Sequence, residues 1–147
     1  MSMQRRPLGR GRTLAALAGL AIVIGSILPW WTVGGTTGIP AVSGNGLDGS
    51  GIVVFLCGIV SLALVALPYA AGDRPLGLDR WLSFAVLAIV GWLAFAIRIV
   101  VLIGNGAFQF AQPAEVFTDG PGLWVTAAGL VMLARSAYTM SRESFYR

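Results

Sequence analysis

The chain has 147 residues, of which 56% are apolar and only 11% are charged, whereas soluble domains carry about 25% charged residues. Its mean hydropathy is +0.81, and several uncharged stretches are long enough to cross a hydrocarbon core of about 30 Å. This composition excludes an ordinary water-soluble globule. It predicts an integral membrane protein built from helices, because helices satisfy their backbone hydrogen bonds internally.

Residue types that commonly carry chemistry are scarce. Histidine is absent, which excludes His-ligated haem, a His-based zinc site and a Ser-His-Asp triad. The single cysteine, Cys57, lies in an apolar run, so neither an intramolecular disulfide nor a CxxC redox pair can form. We therefore expect no enzymatic activity, no cofactor and no metal site. A net charge of +4 on so apolar a chain indicates contact with anionic headgroups and not with nucleic acid.

The first predicted span covers about residues 13–31. It follows an arginine-rich start and is closed by Pro29, Trp30 and Trp31, a helix breaker and two rings suited to the membrane interface. A cleavable signal peptide is disfavoured, because the apolar run is too long for the hydrophobic region of such a peptide. The following residues, 32–46, are rich in glycine, threonine and serine and predict a flexible loop without a core of its own.

Further apolar stretches predict three more spans, at about residues 51–70, 81–103 and 123–138. The third span contains Arg98. The fourth is short, about 24 Å at 1.5 Å per residue, so Arg135 is expected to snorkel toward the nearer headgroups. The loop 104–122 is expected to lie partly on the bilayer surface. The sequence thus predicts a single membrane domain over 1–147, an all-α polytopic protein with four transmembrane helices in an antiparallel bundle.

The arginines outside the spans predict the orientation. The loops 32–50 and 104–122 contain no basic residue. The opposite side of the four-span arrangement holds Arg5, Arg6, Arg10, Arg12, Arg74, Arg80, Arg142 and Arg147. By the positive-inside rule, both termini and the 71–80 loop are cytoplasmic, and the protein is a multi-pass protein of the plasma membrane, the inner membrane of a bacterial cell.

Two segments of the chain resemble each other. Residues 48–51 (DGSG) and 119–122 (DGPG) lie 71 residues apart, and each precedes a predicted span. One interpretation is a duplication, with two parallel two-helix repeats related by a pseudo-two-fold axis along the membrane normal. The other is local, because Asp and Gly are common where helices begin. Both interpretations remain open at this point.

Small residues recur along the first span. Ala15 and Gly19, like Ala21 and Gly25, form small-xxx-small pairs that permit close helix contact. Such contact can form within one copy or between copies, and packing within one copy is favoured.

The candidate site consists of Arg98, Asp48 and Asp119. Arg98 lies about 25 Å along its span from Trp81, inside the apolar zone, where an unpaired charge costs at least a few kcal/mol. Asp48 and Asp119 begin helices at the same level, so either carboxylate can pair with the guanidinium. The pattern fits an intramembrane ion pair that staples helices, or a site for an anion or a lipid headgroup.

The Pro-Trp-Trp at 29–31 and the Asp-Gly-x-Gly at 48–51 resemble small four-span bacterial membrane proteins of uncharacterised function. The resemblance covers about half of the chain and implies a four-span fold without implying an activity. Small multidrug exporters carry a carboxylate in their first helix, and residues 13–31 contain none. Claudin-like proteins need paired external cysteines, which are also missing.

Two function classes follow. The first is a non-catalytic accessory, scaffold or interaction subunit in the lipid bilayer, which packs against a membrane-protein partner or against itself as a homo-oligomer. The second is a small oligomeric transporter or channel with Arg98 near its external mouth. The scarcity of ionisable residues within the spans favours the first, because proton-coupled transport normally needs an intramembrane acid.

Overall fold

The computed structural model describes residues 9–35, 38–70, 80–108 and 112–145. This part of the chain is mostly helical and contains, in chain order, α1 (Arg10–Ile27), β1 (Pro29–Val33), β2 (Val42–Asn45), α2 (Gly51–Ala70), α3 (Arg80–Gly104), α4 (Glu115–Asp119) and α5 (Pro121–Phe145). Four of the arginines that predict the orientation, Arg5, Arg6, Arg74 and Arg147, lie outside the described residues.

Three helices in the described residues are long and apolar enough to cross a membrane. They are Arg10–Ile27, Gly51–Ala70 and Trp81–Gly104. The predicted spans 51–70 and 81–103 agree with the observed bounds of α2 and α3 within one residue. The helix α5 is as long as α3, at 25 residues, but arginines and hydroxyl side chains in its second half lower its hydropathy, and it does not belong to this group.

The helix α1 packs closely against both α2 and α5 through glycine. A Cβ at Gly19 of α1 would lie 3.1 Å from the carbonyl oxygen of Gly58 in α2. On α5, a Cβ at Gly129 would lie 2.8 Å from the Ile22 side chain and 3.1 Å from the carbonyl oxygen of Ala18. Because glycine has no side chain, α2 and α5 can both approach the backbone of α1 closely. The small residues of α1 therefore serve contacts within one copy.

The helix α3 packs against α2 and α5, on the side of these two helices that lies opposite α1. A Cβ at Gly91 would lie 2.7 Å from Leu130 of α5 and 3.8 Å from Cys57 of α2. Cys57 is 4% exposed and Leu130 fully buried. Around the middle of the helices, the four long helices therefore meet with little space between them.

The first span differs from its prediction at its end. The helix stops at Ile27, and Pro29–Val33 forms a strand that pairs antiparallel with Val42–Asn45. Proline cannot donate the next helical hydrogen bond, and the following Trp, Trp, Thr and Val are strand-favouring residues. The fold is therefore mostly helical but not all-α, and the expected flexible loop over 32–46 is in part a β-hairpin.

The last helix also differs from its prediction. The expected span ended at about Tyr138, whereas α5 continues to Phe145. Hydropathy marks where a helix leaves an apolar zone, but polar residues such as Thr139 and Arg142 are compatible with a helix that continues beyond it.

The two halves of the chain do not pack as two-fold equivalents. Gly58 and Gly129, which the 71-residue offset aligns, both contact Ile22 of α1. A pseudo-two-fold axis would place one of them on α1 and the other on α3. The interface between α1 and α5 is also far more extensive than that between α2 and α3, its counterpart under such an axis. The observed packing therefore favours the local interpretation of the repeated motif.

Candidate functional site around Arg98 and Trp30

All three predicted site residues lie at one end of the molecule, which we call the hairpin end. It contains the β1–β2 hairpin and α4, and it is the end at which α1 stops and α2 and α5 begin. Trp30, which the sequence placed at the membrane interface, occupies the interior of this end with 0% exposure.

A bulge in the hairpin places Trp30. In the strand register Pro29 is opposite Asn45 and Trp31 is opposite Gly44, so Trp30 is the extra residue between them. Bulges redirect side chains, and this one accompanies an indole buried against α1. Trp30 Nε1 donates a hydrogen bond of 2.9 Å to the carbonyl oxygen of Gly25.

That hydrogen bond replaces a helical hydrogen bond that Pro29 cannot donate. In a continuing helix the Gly25 carbonyl would accept from the backbone N–H four residues later, and Pro29 has none. The next carbonyl, on Ser26, accepts from the backbone N–H of Gly46 at 2.9 Å. The indole of Trp30 and the hairpin therefore cap the end of α1, where orphan carbonyls need partners.

Glycines make the space for the two indoles. A Cβ at Gly46 would lie 2.5 Å from the Trp30 ring, and a Cβ at Gly44 would lie 2.5 Å from the ring of Trp31. On the other side, a Cβ at Gly120 would lie 2.6 Å from the Trp30 carbonyl oxygen. The glycines of the hairpin and of the second Asp-Gly-x-Gly segment thus form a close-fitting cradle for residues 30–31.

Aromatic contacts connect Trp30 to α3. The ring of Phe95 packs edge-on against Trp30 with centroids 5.4 Å apart, and against Trp92 with centroids 5.8 Å apart. Edge-to-face pairs of this kind stabilise a core beyond the area that they bury. Phe95 is 9% exposed and lies three residues before Arg98.

Arg98 belongs to the packed side of α3. Gly91, Ala94, Phe95 and Leu102 are all buried, and at offsets of three, four and seven residues they share a helix face with Arg98. The Arg98 side chain is 12% exposed. Its position therefore differs from that of an arginine that snorkels from a lipid-facing surface.

The carboxylate of Asp48 is the acidic neighbour of Arg98. Arg98 Nη2 lies 4.0 Å from Asp48 Oδ2, and the Asp48 side chain is 69% exposed. Gly49 adopts φ +59°, and a Cβ there would lie 3.1 Å from Arg98 Nη1. The first Asp-Gly-x-Gly segment therefore passes beside the guanidinium, with a long ion pair on the solvent-facing side.

Asp119, the other predicted partner, has a different position. Within the described residues, the ion pair of Arg98 is with Asp48. Asp119 ends α4, and its backbone carbonyl oxygen accepts a 3.1 Å hydrogen bond from Thr32 Oγ1 of β1. Its contribution here is to join α4 to the hairpin.

Three buried polar atoms lack a hydrogen-bond partner among the described residues: Trp31 Nε1, Arg98 Nε and Thr126 Oγ1. Thr126 Oγ1 contacts Gly25, the residue whose carbonyl accepts from Trp30. The guanidinium of Arg98 thus has unused donor capacity beside one long ion pair, and a buried donor without an acceptor is costly.

The chemistry open to this arrangement is electrostatic. Among the described residues, no group of three or more Cys, Asp or Glu side chains is placed to hold a metal ion. Arg98 and Asp48 can pair, and Arg98 Nε can donate to one more acceptor. The residue of this end that the sequence reasoning placed wrongly is Trp30, and the alternation of glycine at 44 and 46, across the hairpin from the two tryptophans, is the signal that could have indicated its buried position.

No family model, curated protein or solved structure matches the chain.

Proposed function

We propose that the chain is a non-catalytic integral membrane protein that crosses the bilayer four times and acts as an accessory, scaffold or interaction subunit. The termini are cytoplasmic and the hairpin end is external. The observation that carries this proposal is the close packing of the four long helices around their middle, where Gly58, Gly91 and Gly129 lie against side chains of neighbouring helices, because such packing favours an interaction role over a conduit. The function then depends on the outer surface.

The outer surface of the helices supports a role in the bilayer. Large apolar side chains are exposed along α3 at intervals of three and four residues, which keeps them on one helix face. They are Leu82, Val86, Ile89, Leu93, Ile97 and Val100. In water such a surface is costly, whereas lipid chains or a membrane partner would cover it without penalty.

The contacts of α5 support a fourth span. Near one end of α1, a Cβ at Gly11 would lie 2.7 Å from Met140. Near the other end, a Cβ at Gly122 would lie 2.6 Å from the carbonyl oxygens of Gly25 and Leu28. These contacts cover the full length of α1, so a bilayer crossed by α1 is crossed by α5 as well.

The interior supports a packing protein more than a conduit. Ile22 contacts Gly58 on one side and Gly129 on the other, and Gly91 fits against Leu130. An added methyl group at any of these glycines would lie less than 3 Å from a neighbouring helix, so the helices are closely packed at this level.

Two reporter fusions test the architecture. A reporter after Arg147 is expected to be active in the cytoplasm, and one inserted at Gly38 only outside. Gly38 suits the insertion because a Cβ there would meet nothing within 4 Å, whereas Gly44 packs against Trp31. Cytoplasmic activity of the Gly38 insertion would overturn the orientation, and activity of both fusions on the same side would overturn the number of spans.

Purification in mild detergent tests the role as a subunit. We expect the chain to be recovered in a discrete complex with itself or with a membrane-protein partner, identified by its mass and by sequencing of the co-purified chain. This role would be contradicted if the chain is recovered only as a single copy in a detergent that keeps other membrane-protein complexes intact.

The second candidate is a small oligomeric transporter or channel, and it is favoured by one observation, the buried Arg98 Nε without an acceptor in the described residues. Cys57 separates the two candidates. It lies against Gly91 and is 4% exposed, so a membrane-impermeant thiol reagent should label it slowly in intact cells. The matched control is Cys57→Ser with Ile39→Cys, since Ile39 is 65% exposed. Fast labelling of Cys57 would indicate a water-filled path and favour the transporter.

A further inference from the structure

The outward face of α5 changes character along its length. At its C-terminal end, Arg135, Tyr138 and Arg142 are exposed and are separated by three and four residues, so they lie on one face. The Arg142 guanidinium lies 5.0 Å from the centroid of the Tyr138 ring. This distance is within the range of cation–π contacts, so the ring restrains one of the two cations.

Toward the hairpin end, the same face is apolar. Val131 is 55% exposed and Trp124 is 45% exposed, and Ala128 between them is exposed as well. The residues of α5 that pack against α1, among them Gly122, Gly129 and Met140, lie on the opposite side of the helix. The face therefore presents an apolar strip followed by two cations, directed away from the helix that α5 covers.

Neither cation forms an ion pair in the described part of the chain. The ion pair found there is Arg98 with Asp48, so no described carboxylate lies within 4.0 Å of Arg135 or Arg142. In the four-span arrangement Arg135 lies more than a helix turn closer to the bilayer centre than Arg142. Its Cα–Cβ bond tilts toward the helix N-terminus, that is, toward the hairpin end and away from the cytoplasm. An anion that comes to this arginine therefore lowers the cost of its position.

We propose that this face binds an anionic phospholipid of the cytoplasmic leaflet, with the phosphate between Arg135 and Arg142 and the acyl chains along Val131 and Ala128. The proposal depends on the proposed function, because α5 must span the bilayer for the face to meet lipid. A phospholipid is favoured because its charged head and apolar tail follow the same order as the two parts of the face. An acidic segment of a protein would match the arginines but not the apolar strip.

The experiment uses the full chain in nanodiscs that contain equal amounts of phosphatidylglycerol and phosphatidylcholine. Lipids that stay bound after release from the nanodisc are counted by native mass spectrometry. We expect the wild-type protein to retain phosphatidylglycerol preferentially. The double variant Arg135→Gln, Arg142→Gln should lower the preference by about fivefold for each arginine, which corresponds to about 1 kcal/mol per residue.

The matched control is the double variant Arg10→Gln, Arg12→Gln, which removes the same charge at the same end of the molecule but from α1. It should keep most of the preference. An equal loss in both variants would mean that net charge alone attracts the lipid, and would overturn the assignment to α5. An absence of preference in the wild-type protein would overturn it too.

Further arms identify the ligand and separate the two failures. Displacement of phosphatidylglycerol by inorganic phosphate would mean a site for free phosphate, and an acidic protein retained in place of lipid would mean a protein partner. Either result would overturn the phospholipid assignment. If the α5 double variant does not fold, Arg142→Gln alone should still lower the preference by about fivefold, since Arg142 lies near the exposed end of the helix. The fusions at Gly38 and after Arg147 test the spans independently, so correct topology without lipid preference refutes only this inference.

Discussion

The segments 48–51 and 119–122 have the same Asp-Gly-x-Gly pattern and lie at the same end of the molecule, yet they contact different parts of it. In the first, Asp48 approaches Arg98, and Gly49 adopts φ +59° beside the guanidinium. In the second, Gly120 lies against the backbone of Trp30, and the Asp119 carbonyl oxygen accepts from Thr32. One segment neighbours a charge and the other supports a buried indole.

The fourth residue of the pattern, by contrast, has the same role in both segments. Gly51 contacts the carbonyl oxygen of Gly46, and a Cβ at Gly122 would lie 2.6 Å from that of Gly25. Both glycines let a helix start approach a neighbouring backbone closely. The shared pattern therefore encodes how each helix begins. Residues from other parts of the chain determine whether the segment contacts an arginine or a tryptophan.

The largest expected effect is at the indole that the second segment supports. Trp30→Ala should lower the free energy of unfolding by about 4 kcal/mol, because it empties a fully buried site and leaves the Gly25 carbonyl without its donor. Thermal unfolding in detergent, followed by circular dichroism, measures the change.

The control for this variant is Trp31→Ala. Trp31 is only half-buried, and its Nε1 has no acceptor among the described residues, so its removal should cost clearly less. Equal losses for the two tryptophans would show that the second segment does not form a specific cradle for Trp30, and the contrast between the segments would be wrong.

A smaller effect compares the second residues of the two segments directly. Gly120→Ala places a methyl group 2.6 Å from the Trp30 carbonyl oxygen, and backbone cannot move aside easily, so we expect a loss of about 2 kcal/mol. The methyl group of Gly49→Ala contacts only the flexible end of Arg98. Its loss of stability, about 1 kcal/mol, comes mainly from the positive φ of this residue. Unfolding of both variants is compared with Gly104→Ala, whose added Cβ meets nothing within 4 Å. A greater loss at Gly49 than at Gly120 would reverse the comparison.

The sequence predicted the bounds of α2 and α3 well, because each is a continuous apolar stretch with charged or glycine-rich flanks. It failed at the end of α1 for a physical reason. Hydropathy cannot distinguish a tryptophan at a membrane interface from one buried in a strand, and the cradle of Trp30 is built by residues from 46 to 122, far away along the chain. Only the helix breaker Pro29 indicated the change of structure.

The candidate site was open to prediction in part. A lone arginine in an apolar stretch and two aspartates at helix starts define a short set of possible partners. The choice between Asp48 and Asp119 depends on which segment passes beside α3, and the two segments are too alike for the sequence to decide this. Sequence likewise does not indicate that Arg98 lies on the face of Phe95 and Leu102, since apolar residues surround it on every side of α3.

The smallest expected effect tests whether Asp48 interacts with Arg98 more strongly than Asp119 does. Arg98→Leu removes a charge from a site that is 12% exposed, and Asp48→Asn removes its neighbour at 4.0 Å. The losses of the two single variants should sum to more than the loss of the double variant, with a coupling free energy of about 0.5–1 kcal/mol. The coupling is small because the ion pair is long and its carboxylate is mostly in solvent. Arg98→Glu should be worse than Arg98→Leu, since it places like charges together. The matched cycle pairs Arg98→Leu with Asp119→Asn and should be additive in thermal unfolding. Coupling to Asp119 that equals or exceeds coupling to Asp48 would show that both segments serve the arginine.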